Sequence, residues 1–429
     1  MNADAGSTTV VPGSVVVVGG GIAGFGVVRE LRRRGHVGGL TLVEPQGVPY
    51  DRPPLSKEHL TGDSDARRLL LAPPSWFPEH DVELVEEPAV RLVPGGAHPD
   101  GTVVPHRVEL ASGRALEAEA VVLATGGRPR PRDVEGASHP DLITLRTRAD
   151  ADALRDRLHF GAEVAVVGGG FTGAEAASSA RQALASVTLV TATDTPALNA
   201  VGPAIAARLH RMHAEHGVAV EVGRVTRIEH RDEEGGGALP AAHRLHLGEG
   251  RTVDADVVVL AGGIVPDTTL AEEAGLEVAD GVLTDAAGRT GVPGVLAVGD
   301  AAREPGSAWA PSRHWDPALR SAAAAAATIL GEEPEAPGAP WFWSDRHGAH
   351  VEAVGDMSAP AGGTVVDRQV RGAVVASFAL AADGTMRGAA SIDDPTAVKA
   401  ARRIIDRGIV VDPQALADPA VPVKSLARG

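Results

Sequence analysis

The chain has 429 residues, 44% of them hydrophobic, and a formal net charge of −16. That length is too great for one core, and the acidity argues against non-specific binding to nucleic acid or to an anionic membrane. There are no cysteines, so disulfides, thiolate metal sites, protein-ligated iron–sulfur clusters and redox-active dithiols are excluded.

The opening MNADAGSTTVVPGS lacks a basic n-region, and VVVVGGG is too short for a signal core or a membrane span. A cytoplasmic location is expected. The 16 histidines show no HExxH-type spacing, and no metal site is expected.

The first apolar strand is predicted at Val15–Val18, followed by Gly19-Gly20-Gly21-Ile22-Ala23-Gly24 and a helix to about Arg34. The next strand, LTLVE, ends in Glu44. Strand, GxGxxG, helix and a distal acid about twenty residues on make up the full dinucleotide fingerprint. Gly19 and Gly21 allow a tight turn and close approach to a pyrophosphate. Gly24 lets the helix pack on the strand, and Glu44 can accept hydrogen bonds from ribose hydroxyls. The basic run Arg32-Arg33-Arg34 reads as the solvated end of the helix.

AVVLATGG (120–127) is a second apolar strand ending in small residues. The fingerprint order then repeats: EVAVV, Gly168-Gly169-Gly170-Phe171-Thr172-Gly173, and a small-residue helix to about Leu184. This is a duplicated architecture. The following strand, VTLVT, ends in Thr191, where an acid would hold the adenosine ribose. Near the C-terminus of the second strand set, GVLAVGDAA (294–302) places Asp300 after a buried strand. A carboxylate there either caps a helix or binds a ribityl hydroxyl. The alanine run 322–327 reads as a close-packed helix, and EEPEAPGAPW (332–341) as a linker. Alternating strands such as GAVVASFAL and helices near 395–407 complete a smaller α+β segment.

The motifs PYDRPPLSK (49–57), both glycine loops, ATGGRPRP, IVPDTTLAEEAGL, LAVGDAAR, FWSD and VVDPQALADPAVP occur in order. With them the chain resembles FAD-dependent NAD(P)H:ferredoxin reductases of the putidaredoxin reductase, rubredoxin reductase and apoptosis-inducing factor type, over almost its whole length. The resemblance implies an α/β fold with two Rossmann-like, glutathione-reductase-like dinucleotide-binding domains plus a C-terminal α+β domain. FAD would occupy 1–126 and 257–336, NAD(H) would occupy 127–256, and the third domain would span 337–429.

It further implies roles for single residues. Glu44 would bind the FAD adenosine ribose, and Arg52 and Lys57 would hold the cofactor. Asp300 would contact its ribityl–pyrophosphate region, with Ala124, Thr125 and Gly126 in the adjoining turn. Trp315 and Trp343 would lie near the isoalloxazine. Lys57 would pair with Glu175 beside the flavin face, where its charge favours the reduced ring, and Gly168, Gly170 and Gly173 would serve the nicotinamide dinucleotide. Hydride would pass from NADH to FAD, and electrons onward to a separate [2Fe–2S] ferredoxin that serves an oxygenase. The protein would be a monomer or homodimer.

The sequence departs from that pattern at Thr191, at Thr172 and at Arg313, where relatives commonly have an acid, an aliphatic residue and glutamate. TATDTPALNA supplies no cation for a 2′-phosphate, and Asp194 would repel one. These departures leave open a second reading, a flavin-dependent dehydrogenase or oxidase acting directly on a small metabolite, with Arg313 holding a carboxylate. For the ferredoxin reading, a local basic patch from Arg303, Arg313 or Arg346 would have to overcome the net acidity.

Overall fold

The computed structural model describes residues 11–62, 66–97, 103–230, 242–310, 312–358 and 362–428. The first ten residues, which enter the reading of the N-terminus, lie outside them. The chain divides into two compact units, one of Met1–Asp51, Arg67–Arg128 and Val265–Pro337, the other of Arg52–Ala66, Pro129–Ile264 and Gly338–Gly429.

The first unit is built on a five-stranded sheet in the order Val295–Ala297, Ala120–Leu123, Ser14–Val18, Gly39–Val43, Val82–Val85. All its pairings are parallel. Parallel strands covered on both faces read as unbroken apolar runs, and SVVVV and AVVL are buried along nearly their whole length. The helix Ile22–Arg33 packs on the helix Trp315–Ile329, whose alanines 322, 325 and 326 are fully buried. A Cβ on Gly26 would stand 3.0 Å from that of Ala322, so the alanine run is what lets these two helices approach so closely.

Arg32 corrects the expectation of a solvated helix end. Its guanidinium donates to the carbonyls of His36, Gly38, His80 and Asp81, fastening the helix end to two loops. Arg33 pairs with Glu30, and Arg34 with Glu30 and Glu332.

The second unit repeats the parallel plan in four strands, ordered Ala219–Val222, Ser186–Thr191, Glu163–Val167, Val257–Leu260. Because Val257–Leu260 is the outer strand of this sheet, the chain returns to the first unit at Val265, later than the 256/257 boundary expected from sequence. The same unit carries a five-stranded antiparallel sheet from Trp341–Arg346 to Met386–Ile392. The helix Pro395–Asp406 lays Ala397, Val398, Ala401 and Ile404 inward. It starts at Asp394, whose carboxylate accepts from the amide of Ala397, with proline at the first helical position. Among the described residues no helix is long and apolar enough to cross a membrane.

Candidate functional site

In the first unit, the turn after Ser14–Val18 depends on two glycines. Gly19 has φ of +105°, and a Cβ there would fall 2.3 Å from the Ala124 carbonyl oxygen; one on Gly24 would fall 1.8 Å from the Gly19 oxygen. The helix opens at Gly21 in extended conformation with no side-chain cap. Its first amides are therefore left for a ligand, at the end of the helix dipole that favours anions. Glu44 is 6% exposed. One carboxylate oxygen accepts from the Gly20 amide at 2.7 Å, the other from the Gln46 amide at 2.9 Å. A carboxylate offers about four acceptor positions, so the group is fixed and keeps capacity for ribose hydroxyls.

Around this turn the structure gathers several of the other expected residues. Ala23 faces Gly299, where a Cβ would come within 2.7 Å of its own, and Asp300 follows in a short 3-10 turn, Gly299–Ala301. The Thr125 hydroxyl donates to the Asp267 carbonyl at 2.6 Å, and the Asp267 amide to the Gly126 carbonyl at 2.9 Å. The Trp315 indole N–H donates to the Asp51 carboxylate at 3.0 Å, which fixes the ring plane.

The turn of the second unit has the same geometry. Gly168 has φ of +127° and lies against the Ala261 carbonyl; a Cβ on Gly173 would meet the Gly168 oxygen at 1.9 Å. The helix Phe171–Gln182 opens at Gly170, again extended and uncapped. The two units differ at the strand end. Thr191 is fully buried and its hydroxyl donates to the Thr193 carbonyl at 2.7 Å. A Cβ on Gly169 would lie 2.7 Å from both the Thr191 methyl and the Pro196 ring, whereas one on Gly20 would lie 2.8 Å from the Glu44 side chain. Thr191 and Pro196 together fill the seat that a carboxylate side chain occupies in the first unit.

Lys57 and Glu175 form an ion pair at 3.2 Å, with their side chains 12% and 5% exposed. Glu175 also accepts from the Ser56 hydroxyl at 2.5 Å and the Ser344 hydroxyl at 2.6 Å. The Lys57 ammonium donates to the Pro53 carbonyl at 3.0 Å and lies 6.0 Å from the ring centre of Trp343, which stacks on Trp341. Behind Ser344 the Arg346 guanidinium donates to its hydroxyl at 2.9 Å. Burial pushes the Arg346 pKa down to about 10, with Glu175 opposing. Ser56, Ser344 and Arg346 were not singled out for this site from sequence, although PLSK and FWSD each carry the serine beside the residue that was.

Two expectations about surface cations change. Arg346 is 5% exposed and adds nothing to a surface patch, because it serves the Glu175 network instead. Arg313 pairs with the Asp280 carboxylate at 2.8 Å and bonds its carbonyl, so its charge is already matched. The residues present do fit dinucleotide cofactors. Each unit offers an uncapped helix start, the direction a Gly170 side chain would take is open, Glu44 is held by two amides with acceptor capacity to spare, and Arg52 Nε is buried without a partner among the described residues.

The family model for pyridine nucleotide-disulphide oxidoreductases matches residues 13–327, and a reductase C-terminal model matches 341–427. The chain is 33% identical over 415 residues to the ferredoxin–NAD(+) reductase component of the p-cumate 2,3-dioxygenase system of Pseudomonas putida, covering 96% of this chain and 98% of that one. It is 30% identical over 421 residues to putidaredoxin reductase of Pseudomonas putida, covering 96% of each. Its fold is similar to that in the crystal structure of the covalent putidaredoxin reductase–putidaredoxin complex, with a TM-score of 0.85, 30% identity, and coverage of 97% of this chain and 98% of that one. The α/β fold with two dinucleotide-binding domains and a C-terminal domain is thereby shown. This chain, an oxidoreductase with no cysteine for disulphide chemistry, belongs to the pyridine nucleotide-disulphide oxidoreductase family.

Proposed function

We propose that the protein is an FAD-dependent oxidoreductase of the cytoplasm that takes electrons from NADH and delivers them to a [2Fe–2S] ferredoxin serving an oxygenase. The observation that carries this reading is the pair of equivalent glycine turns, each opening an uncapped helix, in a chain without a single cysteine. Two cofactor seats and no dithiol match a reductase that hands its electrons to another protein. The full-length similarity to ferredoxin–NAD(+) reductase components supports the same partner class.

FAD, when bound, supplies the step between a two-electron donor and a one-electron acceptor. Glu44, the amides after Gly21, Asp300 and Arg52 would hold it, and the family resemblance gives Trp315 and Trp343 places near its ring. The amides after Gly170 would hold the nicotinamide dinucleotide. Lys57 contributes a fixed positive charge, which Glu175 and the Pro53 carbonyl orient. The Ser56 and Ser344 hydroxyls each donate to one oxygen of Glu175, so the carboxylate does not turn away from the lysine.

Direct oxidation of a small carboxylate at Arg313 is not favoured, because Asp280 already occupies that guanidinium. The test is NADH-driven reduction of a [2Fe–2S] ferredoxin by the purified flavoprotein. Turnover that needs both proteins supports the reading; a flavin reduced by metabolites and never by NADH overturns it.

A further inference from the structure

Arg132 lies in the second unit, and no carboxylate pairs with its guanidinium among the described residues. Its guanidinium covers Gly262, where a Cβ would come within 2.5 Å of Nε and of one terminal nitrogen. One terminal nitrogen donates to the Val167 carbonyl at 3.2 Å, while Nε is buried with no partner among the described residues. Burial pushes its pKa below the ordinary arginine value, and no neighbouring charge opposes the shift. Arg132 is half-buried, and burying its Nε without a partner costs folding free energy, for which one carbonyl contact is a small return.

The position gives the cost a use. Val167 ends the strand that precedes the second glycine turn, and Gly262 follows the strand beside it, Val257–Leu260. In this sheet the chain runs outward on one side of Glu163–Val167 through Ser186–Thr191 and Ala219–Val222, then crosses to Val257–Leu260 on the other. That reversal is where open parallel sheets bind ligands, at the carboxyl ends of the strands. The Cβ directions of Gly170 and Gly263, on either side of this mouth, meet nothing within 4 Å.

We propose that Arg132 binds the pyrophosphate of the nicotinamide dinucleotide, and so supplies anchoring that the strand end at Thr191 does not. The inference rests on the reading of the second unit as the nicotinamide site. A guanidinium suits this task because its planar fork can meet two phosphate oxygens at once.

The experiment compares the flavin-loaded wild type with Arg132→Met and Arg132→Lys by calorimetric titration with NAD+, ADP-ribose and inorganic pyrophosphate, each at two salt concentrations. Thermal melts are run without added dinucleotide. The Met variant is expected to lose about tenfold to a hundredfold in affinity for NAD+ and for ADP-ribose alike, as loss of a charge-assisted hydrogen bond does. Its salt dependence should flatten, its melting temperature should equal or exceed that of the wild type, and Lys should fall between. Unchanged affinity for ADP-ribose overturns the proposal. So does a Met variant that melts earlier, since that marks a structural role. If the wild type itself binds no NAD+, the nicotinamide reading fails. Arg132-dependent binding of inorganic pyrophosphate would then still uphold the anion contact, and its absence would overturn both.

Discussion

Replacing Glu175 by glutamine tests the charge network at the proposed flavin face. The side chain keeps its shape, and the Ser56 and Ser344 hydroxyls can each turn to donate to or accept from an amide, so both contacts, at 2.5 and 2.6 Å, can persist. What is lost is the negative charge 3.2 Å from a lysine that is 12% exposed, with Arg346 buried just behind. Removing one partner of a buried pair costs about 3–5 kcal/mol. The low end applies here, because Lys57 keeps the Pro53 carbonyl and the face of Trp343. Lys57→Met removes the stranded cation, so the double variant should recover about 2 kcal/mol or more of the loss summed over the single variants. The assay is urea unfolding of the three variants and the wild type, followed by tryptophan fluorescence. Simple additivity of the two single losses would refute the claim that the pair is a coupled unit.

Further expectations follow from the same geometry. Gly173→Ala puts a Cβ 1.9 Å from the Gly168 carbonyl oxygen, so NADH affinity should fall at least tenfold, while the flavin content of the purified protein stays as in the wild type. Thr191→Glu combined with Pro196→Gly rebuilds the carboxylate seat of the first unit, and NADH should bind roughly tenfold more tightly, read by titration. Acid sensitivity has a defined sign. Burial pushes His213 down to about 3, with Arg346 adding to it, and burial likewise pushes His243 down to about 4. The unfolded chain therefore takes up protons first, and stability is full above about pH 6.5 and falls below it, by about 2 kcal/mol per histidine at pH 5. Denaturant midpoints at pH 7.5 and 5.0 check this, and His213→Gln should shrink the difference.

Much of the dinucleotide framework was legible in sequence because it depends on local rules. A glycine with φ of +105° or +127° and an acid at a strand end leave a fixed spacing in the chain. Lys57 and Glu175 were legible only through the resemblance, being 118 positions apart, and their distance is a product of tertiary folding. The hydroxyls of Ser56 and Ser344 were missed because serine has no periodic signal; only the folded chain shows that they close on one carboxylate. Arg32 and Arg346 were read as surface charge by composition, yet carbonyls and a buried hydroxyl claim them. In sequence, VVVL at 257–260 serves equally well in either parallel sheet; its pairing with Glu163–Val167 puts it in the second unit.

The central claim is tested most directly by anaerobic stopped-flow reduction of the purified yellow protein, following flavin absorbance on mixing with NADH and, separately, NADPH. The account predicts bleaching within about a second of mixing with NADH, since enzymes of ordinary turnover complete at least one cycle in that time. Reduction by NADPH should be slower, because TATDTPALNA at the Thr191 strand end carries no lysine or arginine for a 2′-phosphate. A flavin that stays oxidised with both donors would contradict it.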